Sequence, residues 1–107
     1  MKETDEPISN FNCAFSHKIL LQGKMYIFKN TVGFHSYFNS QSFVGDTALS
    51  IPFADIIRIE KRKNALIFDN SLAIITSKGE LFFTSYVARD ACFKLLTFLM
   101  ASAAKEE

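Results

Sequence analysis

The sequence predicts a mainly β domain with one C-terminal α-helix, built as a sandwich or barrel. Three observations carry this. From Phe11 to Thr84, short runs rich in Phe, Ile, Tyr, Val and Thr alternate with clusters of Gly, Asn, Ser and Asp, as antiparallel strands joined by turns do. After Thr84 the apolar period lengthens from two to between three and four. The 107 residues are 49% hydrophobic with only four Gly and two Pro, which excludes a disordered or low-complexity chain and suits one domain with its own core.

Residues 1–10 are polar, contain Pro7 and read as an N-terminal tail, with the domain expected over 11–104 and a short tail at 105–107. Strand segments are predicted near 11–16, 18–22, 24–29, 32–38, 47–52, 56–62, 72–77 and 80–84, the first two of which can also form one bent strand. Gly23 suits a tight turn or a bulge. Lys29-Asn30-Thr31 is a turn candidate because Asn tolerates positive φ, and Asp69-Asn70-Ser71 and Lys78-Gly79 are two more.

Over 87–104, Ala88, Cys92, Leu95, Leu96, Leu99 and Ala103 recur at helical spacing, with Ser85 placed to cap the helix. Asp90 and Lys94 stand four apart in the favourable order for an ion pair. The wide stripe should bury much of the helix against the sheet and cover an open strand edge. A polar face of only Arg89, Asp90 and Lys94 is too weakly basic for a membrane-surface helix.

The net charge is +1, yet residues 7–104 hold 10 Lys and Arg against 6 Asp and Glu, and the ends are acidic. A mildly basic body fits weak attraction to an anionic surface and is far less basic than a nucleic-acid binder. No apolar run is long enough to span a bilayer, and the acidic start, Met1 to Glu6, lacks the apolar core of a signal peptide. Most of the twelve Phe and three Tyr are expected in the core. Cys13 and Cys92 read as two buried free thiols of a reducing compartment.

No phosphate loop, nucleophile elbow or metal-ligand spacing is present, so no catalytic residue, metal or cofactor is expected, and no small-molecule substrate. His17 and His35 read as structural or surface histidines. Asp55 reads as a turn residue and Glu60 as a strand surface residue. The densest charged feature is Arg58-Ile59-Glu60-Lys61-Arg62-Lys63. Strand alternation sends Ile57 and Ile59 inward and Arg58, Glu60 and Arg62 outward, with Lys61 and Lys63 reaching solvent where the strand enters a turn. The cluster is either a solvated strand end or a site for anionic headgroups. The polar loop 39–46 carries Phe43 and Val44, which either fold back onto the barrel or dip into a bilayer.

Several blocks resemble a GRAM domain. Phe11-Asn-Cys-Ala-Phe15, Ile19-Leu-Leu-Gln-Gly23-Lys-Met-Tyr-Ile27 and Gly33-Phe-His-Ser36 look like its opening. Ile51-Pro-Phe-Ala-Asp-Ile56, Lys61-Arg-Lys-Asn-Ala65, Asn70 and Phe82-Phe-Thr-Ser-Tyr-Val-Ala-Arg-Asp90 follow in the family's order. The likeness is greatest to the GRAM domains of Aster-type and plant lipid-transfer proteins. It implies a pleckstrin-homology-like fold: a seven-stranded antiparallel barrel or sandwich capped by the C-terminal helix. It also implies a non-enzymatic membrane-targeting module. Such a module binds anionic lipids, phosphatidylserine or phosphoinositides, at the cytosolic face of a membrane and docks a larger lipid-transfer or trafficking protein, as at membrane contact sites. Other domains of that parent are then its partners.

Carried over by position, the resemblance places headgroup binding at Lys61 and Lys63, with Arg62 added here, and Lys24 where an Arg is common. The sequence departs from the family at three places. The loop at 39–46 is longer and lacks a Trp, Leu66 replaces a common Arg, and Asp69 replaces a common Pro. The alternative is a protein-interaction scaffold that adds a peptide strand at the open sheet edge beside the helix, without lipid binding.

Overall fold

The computed structural model describes residues 6–36, 48–64 and 66–105. Among the described residues, seven strands, β1 (Ser9–Ser16), β2 (Leu20–Ile27), β3 (Thr31–Ser36), β4 (Ala48–Pro52), β5 (Ile56–Arg62), β6 (Ser71–Thr76) and β7 (Gly79–Thr84), precede one α-helix, α1 (Arg89–Lys105). They form one antiparallel sheet in the order β4-β3-β2-β1-β7-β6-β5. β1 pairs with β2 along its whole length but with β7 only over Ala14 to Ser16, so it joins two half-sheets. β4 and β5 are the edges of the sheet, which does not close.

The prediction of eight strands is corrected to seven, because 18–22 and 24–29 are one strand. Gly23 is neither a turn nor a bulge. It pairs in register with Cys13 on one side and Ser36 on the other. A methyl group there would overlap the His35 carbonyl and the Phe34 ring, so the glycine serves close packing of β3 on β2. At the Lys29–Asn30 turn, Phe28 N–H donates to the Thr31 carbonyl and Phe53 N–H to that of Asn30. The turn forms without positive φ at Asn30; among the described non-glycine residues that conformation belongs to Ile67 and Ser85.

The core holds Phe15, Met25, Ile27, Val32, Phe34, Leu72, Ile74 and Phe83, all on the inner faces of strands. α1 closes it with Cys92, Leu96 and Leu99. This buried stripe is narrower than predicted: Ala88 is exposed, and so is Phe98 on another side of the helix. Ser85 does not cap α1. The first helical bond runs from Cys92 N–H to the Ala88 carbonyl, three residues further on, while Ser85 takes φ 60° in the preceding bend. The buried thiols of Cys13 and Cys92 lie beside Met25 and Tyr86, whose hydroxyl donates to the Met25 sulfur at 3.2 Å. Burial pushes both thiols up to about 12, so neither is a reactive cysteine near neutral pH.

Candidate functional site

The charged segment 58–63 lies at the edge strand β5, and the structure divides it. β5 covers the predicted span, but its register shifts between Ile56 and Arg58. Ile57 is the bulged residue and is exposed, while Ile56 and Ile59 point inward; the predicted inward Ile57 is corrected by that bulge. Beyond it Arg58, Glu60 and Arg62 share the outer face. Arg58 Nε donates to Glu60 at 2.6 Å, and Arg62 Nη2 donates to Glu60 at 2.5 Å and to Glu80 of β7 at 3.1 Å. The bonds from Arg58, and then Arg62, hold the Glu60 carboxyl below its ordinary value.

Lys61 faces the helix instead. Its ammonium lies 3.4 Å from Asp90 and 5.0 Å from the centre of the Phe93 ring, a cation–π contact. Asp90 thus pairs with its helix neighbour Arg89 at 2.7 Å and with Lys61 of β5 at 3.4 Å rather than with Lys94 as predicted. Lys63 follows the strand, is exposed, and is in no ion pair among the described residues. Lys24, on β2, sits between Asn12 and His35 with β1, β7 and β6 separating it from β5, so it does not join the cluster. Phe43 and Val44 lie outside the described residues.

The organising group is Arg89, which the sequence placed on the polar face of the helix. Its side chain is only 7% exposed. It donates to Asp69 and Asp90 at 2.7 Å and to the backbone carbonyls of Ser71 at 3.0 Å and Arg62 at 3.1 Å. One side chain therefore ties the end of β5, the start of β6, the loop between them and the first turn of α1. Burial works against its charge, but the bonds to Asp90 and Asp69 outweigh it and raise its pKa. Asp90 is correspondingly held below its ordinary value by Arg89 and then Lys61. Five cations (Arg58, Lys61, Arg62, Lys63, Arg89) meet four carboxylates (Glu60, Asp69, Glu80, Asp90), so the region is far closer to neutral than residues 58–63 suggest.

The loop between β5 and β6 is a built turn. The Asn64 side-chain oxygen accepts from Leu66 N–H at 2.8 Å and Phe68 N–H at 2.9 Å. Its backbone pairs with the Phe68 carbonyl and the Ile67 N–H, both at 2.9 Å. At the loop's base the Ser71 hydroxyl donates to Thr84 at 2.7 Å, and Tyr86 N–H donates to the Asn70 carbonyl at 3.2 Å. That last bond joins the loop to the β7–α1 connection. The turn displays Leu66, Ile67 and Phe68 at 71%, 79% and 60% exposure. Their exposure was not predicted, although three apolar residues in a turn between two strands are a legible signal.

Comparison with known proteins decides the family. The model described as the GRAM domain matches residues 1–105. The chain belongs to the GRAM domain family. This GRAM domain is 34% identical over 107 residues to Protein Aster-A of Homo sapiens, covering 100% of the chain and 14% of that protein. It is 39% identical over 94 residues to GRAM domain-containing protein 2B of Homo sapiens, covering 87% and 21%. To VASCULAR ASSOCIATED DEATH 1 of Arabidopsis thaliana it is 38% identical over 89 residues, covering 83% and 14%. The chain thus spans about a fifth or less of these curated relatives. A crystal structure of the C-terminal domain of an unknown protein from Leishmania infantum shares the fold, with a TM-score of 0.78 and 24% identity over 91% of this chain and 85% of that one. The pleckstrin-homology-like architecture expected of a GRAM domain is the one observed. Its block Phe82 to Asp90 contains the Arg89 hub, which is where the sequence signal for that residue lay.

Proposed function

We propose that this GRAM domain docks a larger protein on an anionic, cytosol-facing membrane by binding lipid headgroups, and that it does so without catalysis. The observation that supports the reading is the end of β5, where Lys63 is exposed and in no ion pair among the described residues, beside Lys61 and Arg62. A basic side chain near an acidic bilayer contributes about 1 kcal/mol. The ion pairs of Arg58, Lys61 and Arg62 are partly exposed and weakened by solvent, so exchanging a carboxylate for a phosphate costs little. The arginines gain a bidentate partner in doing so. Lys24 stands apart and adds only long-range attraction. Phe43 and Val44 remain candidates for a second membrane contact. Phosphatidylserine and phosphoinositides are the lipid classes that fit the charge. Three cations supply roughly 3 kcal/mol, weaker than millimolar affinity. Multivalency in the parent protein or an apolar contact must supply the remainder.

The test is co-sedimentation with vesicles of neutral lipid, phosphatidylserine and mixed phosphoinositides, using K61A/R62A/K63A as control. Sedimentation that needs anionic lipid, falls with salt and is lost in the variant is the expected result. Equal sedimentation on neutral and anionic vesicles would overturn the electrostatic mechanism. No sedimentation at low salt would shift the weight to a protein-interaction scaffold. That scaffold reading is weakened by the β5 edge itself, whose bulge and three charged side chains disfavour pairing with another strand.

A further inference from the structure

We propose that the loop between β5 and β6 is a bilayer-insertion wedge: Leu66, Ile67 and Phe68 enter the interfacial layer of an anionic bilayer while Lys63 and Lys61 hold headgroups at their rim. The inference rests on the membrane-docking reading and adds the apolar contact that the cations lack.

Four observations point there. Three consecutive large apolar side chains face solvent, and Val87, on the connection bonded to the loop's base, is 84% exposed. Contiguous exposed apolar surface rimmed by polar groups marks an interaction site rather than packing. The display is fixed: Asn64 holds both ends of the turn, and Ile67 sits at φ 65°, a conformation that β-branched residues rarely adopt. The carboxylates beside the loop, Asp69 and Asp90, are ion-paired to Arg89, whereas Lys63, immediately before the turn, is in no ion pair among the described residues. Finally, the apolar residues stand in the turn that joins two antiparallel strands, and a bilayer's interfacial layer accepts apolar side chains about 5–10 Å into the headgroup–acyl boundary and draws basic ones to its surface.

The chain contains no Trp, so a single one introduced into it reports its own surroundings. Phe68→Trp places the reporter in the wedge. Phe98→Trp places it on an exposed site of α1, about 13 Å along the helix from Arg89. Each protein is mixed with neutral phosphatidylcholine vesicles, with vesicles containing phosphatidylserine, and with the same vesicles carrying brominated acyl chains. Expected is a blue shift and bromine quenching for Phe68→Trp on anionic vesicles only, and neither for Phe98→Trp. L66S/I67S/F68S should keep its thermal unfolding profile and lose about tenfold or more in vesicle affinity. Sedimentation of the Phe68→Trp protein on anionic vesicles without shift or quenching overturns the wedge and leaves docking intact. Failure of the unaltered protein to sediment on any anionic vesicle overturns docking and the wedge with it. A blue shift that grows with protein concentration in the absence of vesicles overturns the wedge in favour of pairing between copies of the chain.

Discussion

In the middle of the sheet Phe15, Phe34 and Phe83 pack with ring centres 5.1–5.9 Å apart. At one end of the same sheet Leu66, Ile67 and Phe68 face water. Both groups are three large apolar side chains, and hydropathy alone does not separate them. The difference lies in what fixes the backbone. Phe15 and Phe83 are opposite one another in the β1–β7 ladder, so strand alternation turns both inward. Residues 66–68 have no ladder. Hydrogen bonds donated by the Leu66 and Phe68 N–H groups to their own neighbour Asn64 fix this turn, and strand pairing resumes only at Ser71. An apolar residue is therefore core where a register aims it inward. Where a turn aims it outward, it is available for binding.

The contrast is broken most severely at its core. Phe83→Ala should cost about 3–5 kcal/mol in chemical denaturation, a large share of a typical domain's 5–15 kcal/mol. Phe68→Ala should stay within about 0.5 kcal/mol. A comparable loss at Phe68 would mean that the loop is packed rather than displayed. Arg89 is the joint between the two regions. Arg89→Met should cost about 2–3 kcal/mol, because the buried carbonyl of Ser71 and the half-buried one of Arg62 lose their donor. Arg89→Lys should recover less than half of that, since one ammonium cannot reach four acceptors in a fork geometry. Arg89→Met also leaves Asp69 without its ion-pair partner and Asp90 with Lys61 alone, so the β5 end becomes less basic and affinity for anionic vesicles should fall even in the folded protein. Full rescue by Lys in denaturation would reduce Arg89 to a simple charge.

The same contrast explains what the sequence revealed. Strand alternation and helix spacing are local, and β5 was delimited to the residue from them. Its inward and outward faces hold from Arg58 on and fail only at Ile57, because the bulge there depends on how β6 pairs across from it. Gly23 looked like punctuation because nothing nearby in sequence shows that Phe34 and His35 press against its backbone. The basic run was plainly visible, but its neutralisation depended on Glu80, Asp69 and Asp90, brought together only by folding. Arg89 is hardest to read from its neighbours, since its partners span Arg62 to Asp90 and it belongs to a helix whose other polar residues are solvated. The apolar loop was local and readable, as three apolar residues lodged between predicted strands.

The smallest expected effect divides display from stability most finely. Ile67 holds φ 65°, which costs an L-residue roughly 1–2 kcal/mol. Ile67→Gly removes that strain but adds freedom to the unfolded chain worth about 0.5–1 kcal/mol. The folded protein should gain a few tenths to about 1 kcal/mol, seen as a higher urea midpoint with an unchanged slope. If the loop is a wedge, the same substitution removes its most exposed side chain and weakens binding to anionic vesicles. Stability and binding then move in opposite directions, as expected when strain is maintained for a contact made outside the molecule. A fall in the urea midpoint would show instead that Ile67 contributes packing that outweighs its strain, placing it with Phe83 rather than in contrast to it.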